Sequence, residues 1–172
     1  MTPSLQDLQV QFERLVAQNP LPPLAALAPA ATAPAAPPPS PQVEATDLAA
    51  CGVHLDVRLR SDQVVDAAKL LRFAGFALDA VTGVDWIAQQ EMEVVYDYFH
   101  PDMICRVAVH ARIPRGQPEI PTISPIFDGA NWHERETHEF FGITFIGHPN
   151  LIPILLPEDA TFHPLRKDFT GP

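Results

Sequence analysis

Between Pro20 and Thr46 the chain reads PLPPLAALAPAATAPAAPPPSPQVEAT: 27 positions, nine of them proline and nine alanine. Proline fixes φ and removes a backbone donor, so a run this dense cannot build a packed element. It is read as a semi-extended linker without chemistry of its own. It divides the 172 residues into a short segment, 1–19, the linker, 20–46, and a body that begins at Asp47. That body is long enough for one compact domain and too short for two large ones.

The segment before the linker is helical by its spacing. In SLQDLQVQFERLVAQ, residues 4–18, Leu5, Leu8, Phe12, Leu15 and Val16 recur on one face, and Ser4 with Asp7 resembles a capping pair. A helix of this length is marginal alone in water, so its apolar stripe must cover a surface.

In the body, VHLDVRLR (53–60) alternates strictly and predicts a half-buried strand. SDQVVDAAKLLRFAG (61–75) predicts a helix between an N-cap at Ser61 and a stop at Gly75, with Val64, Ala68 and Leu71 buried. Three extended stretches follow at 76–86, 91–99 and 103–113, joined by short turns that predict consecutive hairpins. EIPTISPIF (119–127) is interrupted by Pro121 and Pro125 and suits an edge or a loop. The predicted class is α+β: a small mixed or antiparallel sheet, helices on one face, and an irregular C-terminal strap. The domain is placed at 47–150 and the strap at 151–172.

The net charge of −10 argues against nucleic acid, whose phosphates require clustered Lys and Arg. No apolar run is long enough for a membrane span, and the N-terminus lacks the basic end and apolar stretch of a signal peptide, which points to an intracellular chain. Cys51 and Cys105 are read as buried free thiols, and two cysteines cannot supply four thiolates to an iron–sulfur cluster.

The stretch NWHERETHEFFG (131–142) resembles the H-E-x-x-H zinc motif, but His133 and His138 are five apart. At about 100° per residue they diverge by about 140° around a helix. A helical wheel instead gathers Trp132, Glu136, Glu139, Phe140 and Ile143 within about 100°, so two carboxylates enter an apolar stripe. Each then needs donors: Arg135 is one turn from Glu139, and Glu136 requires a partner from the basic tail or another protein. Phe141 points the other way and requires a second covering surface. A solvated charged helix is the plainer alternative. The segment after it, ITFIGHPNLIPILLPEDATFHPLRKDF, is apolar but aperiodic, and reads as a strap laid along another protein.

These residues carry a resemblance. Trp132, Glu134-Arg135-Glu136, Glu139, Phe140, Phe141-Gly142-Ile143, Gly147-His148-Pro149, Ile154 to Pro157 and Pro164 to Phe169 resemble, in order, the hallmark region of the 30-kDa subunit family of respiratory complex I, the NADH:quinone oxidoreductase. Weaker likeness extends through VTGVDW (81–86) and EVVYDYF (93–99). The resemblance implies a non-catalytic accessory subunit of the hydrophilic arm that holds the large quinone-module subunit, with electron transfer coupled to ion translocation by the complex. It implies no catalytic, cofactor or metal residue on this chain; iron–sulfur clusters, with FMN or nickel–iron, sit on partner subunits. Implied partners are the large subunit and neighbouring iron–sulfur subunits, in a complex bound peripherally at the cytoplasmic face of the membrane. The implied partner contacts are Trp132, Glu134, Arg135, Glu136, Glu139, Phe140, Phe141, His148, Pro149, Leu165, Arg166, Lys167 and Asp168. Pro153 stands where complex I members carry Arg, which keeps open the equivalent subunit of a complex-I-related nickel–iron hydrogenase. A metalloenzyme using His133, His138 and His148, and a free-standing adaptor, are the readings from other classes.

Overall fold

The computed structural model describes residues 4–18 and 42–171. Most of the proline–alanine run falls outside that set. Its last residues do not: Val43–Ala45 form strand β1, antiparallel to β2 (Leu55–Leu59). The linker as read from composition therefore ends a few residues too late, because Val43 and Ala45 lie beyond the last proline and are free to pair.

Helix α1 (Leu5–Gln18) is capped as expected, with Ser4 Oγ accepting from the Asp7 N–H and Asp7 accepting from the Ser4 N–H. Its stripe buries Leu8, Phe12 and Val16 in the core, and Gln63 Nε2 donates to the Leu15 carbonyl at 2.8 Å. The surface that this helix needs is thus the body of its own chain. A four-residue helix, α2 (Leu48–Cys51), follows β1; it has no buried residue, so Cys51 is exposed and only Cys105 is buried. After β2, Ser61–Gln63 forms a 3-10 turn, so α3 (Val64–Phe73) starts later than the Ser61 cap implied. Val64, Ala68 and Leu71 are buried in it.

Strands β3 (Ala77–Trp86), β4 (Glu91–His100) and β5 (Cys105–Pro114) form the predicted antiparallel meander. The whole sheet has the order β1-β2-β5-β4-β3, and β2 runs parallel to β5, with Leu55 opposite Val107. An alternating pattern reveals which face a strand buries but not which neighbour it takes. Helix α3 carries the chain over the sheet from β2 to the far edge, where β3 begins.

One face of the sheet carries the core: Val57 and Leu59 on β2, Val107 and Val109 on β5, Val94, Tyr96 and Tyr98 on β4. The prolines of 119–127 leave room for one short strand, β6 (Glu119–Pro121), which pairs in parallel with β7 (Thr144–Ile146) outside the main sheet. Between them lies α4 (Ala130–Phe141), packed against the edge strand β3. The sheet is mixed and the class α+β.

Candidate functional site

Helix α4 and the chain after it form the unit in which most of the residues singled out by sequence meet. Only part of the wheel's stripe is buried: Glu139 and Ile143 are, Trp132 and Glu136 are not. Ala130, Glu134 and Thr137 turn toward the sheet, and Thr137 Oγ1 donates to the Val81 carbonyl at 3.3 Å. Phe141 lies on the same side, over Gly83 of β3. A Cβ at Gly83 would sit 2.6 Å from the Phe141 ring, so only glycine admits that approach. Trp132 is 61% exposed and Glu136 is also exposed, which corrects the expectation that they enter the core. The wheel failed because a helix lying close on an edge strand requires small and hydrogen-bonding groups there. Trp132 is left on the outside. The second surface that Phe141 needs is the chain's own sheet.

The strap after β7 has no regular structure, so its backbone groups need partners from elsewhere. Arg135 and Glu139 supply five. Arg135 donates from Nε to the Ile152 carbonyl at 2.8 Å and from its terminal nitrogen to the Pro153 carbonyl at 3.2 Å. Glu139 accepts from the N–H groups of Ile154, Leu155 and Leu156 at 2.8, 3.1 and 3.2 Å. The anticipated Arg135–Glu139 pair is replaced by these bonds, each side chain clasping the strap. Arg135 also lies over the Trp132 ring, 5.2 Å from its centroid.

Farther on, the strap caps the end of α4. The last carbonyls of a helix have no partner within it. Here the His163 Nδ1–H donates to the Glu139 carbonyl at 2.9 Å, Leu165 N–H to Phe140 at 3.1 Å and Arg166 Nε to Phe141 at 2.7 Å. Gly142, at φ 75°, turns the chain away, and a side chain there would strike Arg166 and His163. A third clasp closes on the sheet. Buried Asp85 of β3 accepts from Arg115 at 2.8 and 3.0 Å and from the Lys167 N–H at 2.8 Å. Arg115 also reaches Asp168 at 2.6 Å. Its guanidinium holds the Asp85 and Asp168 carboxyls below the usual carboxylate range, although burial pushes Asp85 upward.

Glu134 sits differently. It is fully buried, accepts from the Thr122 hydroxyl and from the Ile123 N–H at 2.8 Å, and has His148 Nε2 at 3.9 Å. Burial raises its carboxyl to about 7, against the pull of those two donors.

The three histidines of the metal reading do not converge. His138 is bonded to the Ile143 carbonyl and His148 to the Asn131 carbonyl. Among the described residues no group of three His, Cys, Asp or Glu side chains is arranged to hold a metal ion. Of the residues the resemblance marks, Glu134, Arg135, Glu139, His148, Arg166 and Asp168 spend their hydrogen bonds within this chain. Trp132, Glu136, Pro149, Leu165 and the Lys167 side chain face outward, and Phe140 is half-buried. Sequence reasoning missed Asp85, Arg115, Thr122 and His163. Their partners lie 30 residues away for Asp85–Arg115 and 24 for His163–Glu139, beyond any periodic pattern.

A family model described as "Respiratory-chain NADH dehydrogenase, 30 Kd subunit" matches residues 57–172. The chain belongs to this family. The matched span contains both halves of every clasp. An NADH-quinone oxidoreductase subunit of Roseiflexus castenholzii is 39% identical over 119 residues, covering 66% of this chain and 68% of that protein. An F(420)H(2) dehydrogenase subunit of Methanosarcina mazei is 37% identical over 134 residues, covering 72% and 83%. Among solved structures, the trypsin-resistant fragment of Nqo5 has a TM-score of 0.52 at 29% identity, covering 56% of this chain and 82% of that one. A chain in the membrane-bound sulfane sulfur reductase, an archaeal respiratory membrane complex, shares the fold with a TM-score of 0.68 at 22% identity, covering 94% and 84%.

Proposed function

We propose that this chain is a non-catalytic accessory and assembly subunit of the hydrophilic arm of a complex-I-like NADH:quinone oxidoreductase. It holds the large quinone-module subunit in place for electron transfer coupled to ion translocation. Iron–sulfur clusters and flavin belong to partner subunits, and this chain rides peripherally on the cytoplasmic face of the membrane through the complex. No helix among the described residues is long and apolar enough to cross a membrane.

The observation that carries this reading is the outer face of the clasped unit. The row Trp132, Glu136, Phe140 runs along the outside of α4, with the strap's exposed Ile152, Leu155 and Leu165 beside it. Exposed apolar groups gathered round one carboxylate mark a protein-contact surface. Because the strap is pinned by hydrogen bonds, that surface is preformed and costs little ordering on docking.

Trp132→Asp and Leu165→Asp should leave the fold intact while the large subunit is lost from affinity-purified complex. Full retention in both variants, or intact complex with sharply reduced turnover, would overturn the assembly role. The equivalent subunit of a nickel–iron hydrogenase is the second reading, on the ground of Pro153. Nickel in the co-purified large subunit would select it, and quinone reduction without nickel would select the first.

A further inference from the structure

Glu134 belongs to a hydrogen-bonded chain that the assembly role does not use. Ser124 Oγ lies 2.8 Å from Thr122 Oγ1, and Thr122 Oγ1 bonds to Glu134 Oε2. Thr122 Oγ1 also accepts from the Ser124 N–H at 3.1 Å. Ser124 lines an open groove together with Pro125, Asn131, Trp132 and Pro149. A buried carboxyl is thus joined to a surface groove by two hydroxyls.

We propose that Glu134 is a buried proton-binding site, loaded from the groove beside Trp132 through Ser124 and Thr122, whose charge state sets the direction of both hydroxyls. With Glu134 ionised, Ser124 donates to Thr122 and Thr122 to Glu134. To load the site, a solvent proton arrives at Ser124 Oγ, the Ser124 hydrogen passes to Thr122 Oγ1, and the Thr122 hydrogen passes to Glu134 Oε2. The carboxylate gains one proton, each hydroxyl keeps one, and both hydrogen bonds reverse.

A hydroxyl has one donor and two acceptor sites. Thr122 fills all three in either state: its two acceptor sites hold the Ser124 N–H and one hydroxyl, while its own hydrogen bonds to the other. The Ile123 N–H serves Oε1 in both. Neither protonation state therefore leaves a bond of Thr122 or of Oε1 unmade.

The surroundings do not pin the charge. His148 Nδ1 accepts from the Asn150 N–H at 3.1 Å, so Nε2 carries its hydrogen, donated to the Asn131 carbonyl at 3.2 Å, and the ring is neutral. Burial lowers the His148 imidazole in the same sense. On β4, Tyr96 and Tyr98 face the site, and both phenols are raised by burial and by the charge of Glu134, so they remain neutral. On α4 itself, His138 bonds to the Ile143 carbonyl and Arg135 turns to the strap. A carboxylate with no cation at hand titrates where its burial and its donors place it.

The test is carboxyl-region NMR of the full chain labelled at glutamate, titrated from pH 4 to 9, with infrared detection of the protonated carboxyl after a pH jump. One glutamate should titrate with a midpoint near 7, and that signal should vanish in Glu134→Gln. Thr122→Val removes a donor to the charged form and should move the midpoint up. Ser124→Ala should leave the midpoint nearly in place and slow the appearance of the infrared band. Absence of any glutamate titrating above the ordinary range, or persistence of the signal in Glu134→Gln, would overturn the site. An unchanged rate in Ser124→Ala would overturn the route. The Thr122 and Ser124 variants keep the test decisive if Glu134→Gln fails to fold.

Discussion

Replacing Glu139 by Ala should free the strap while leaving the sheet intact. The carboxylate collects the N–H groups of Ile154, Leu155 and Leu156. Hydrogen bonds to a charged acceptor contribute about 1.5–3 kcal/mol each. Three amides share one carboxylate on a half-exposed segment, so their contributions do not add, and a loss of about 3 kcal/mol in local closure is the reasonable sum. At 1.4 kcal/mol per decade this is on the order of a hundredfold in the opening equilibrium. The assay is native-state amide exchange at Ile154, Leu155 and Leu156, with the amides of Val94 and Val109 in the sheet as reference. Protection at the three strap amides should fall about a hundredfold while the reference amides hold theirs. Glu139→Gln, which keeps one acceptor oxygen, should fall between. Unchanged strap protection would refute the clasp, and an equal fall in the sheet would show that Glu139 stabilises the whole fold instead.

Two further outcomes follow from the same geometry. Gly83→Ala places a Cβ 2.6 Å from the Phe141 ring; overpacking of this kind costs about 1–3 kcal/mol in denaturant unfolding, and Phe141→Leu in the same chain should recover part of it. Raising the pH should destabilise the protein between about 4.5 and about 7. Burial raises Glu134 over that range, so the folded state holds a proton that the unfolded chain has released. With more protons bound in the folded state, stability is full below the lower value and falls through the upper one, by roughly 3 kcal/mol in all. Urea midpoints at pH 5 and pH 8 should show the drop, and Glu134→Gln should remove it.

The strands, the helices and their buried faces could be read from the sequence wherever a period decided the matter. Leu8 and Phe12 of α1 and Val107 and Val109 of β5 are buried as their spacing implied. Strand neighbours could not be so read. Nothing local in LDVRL announces that β2 will lie parallel to β5. The site was legible as a set of residues and illegible as an arrangement. Glu139 was marked as a carboxylate needing donors, and it has them, but they are backbone amides of an aperiodic segment. Arg135 was within reach of Glu139 and chose carbonyls instead. The outward turn of Trp132 depended on Gly83, far earlier in the chain, where a missing Cβ decides which face of α4 can approach the sheet.

Helix α1 fills the core with Leu8, Phe12 and Val16 yet is joined to β1 only through the proline–alanine run. Covalent linkage makes its docking an intramolecular event. A single cut anywhere within that run would turn a constant part of the fold into a dissociable peptide. From then on, the integrity of the core would depend on how much of the chain is in solution.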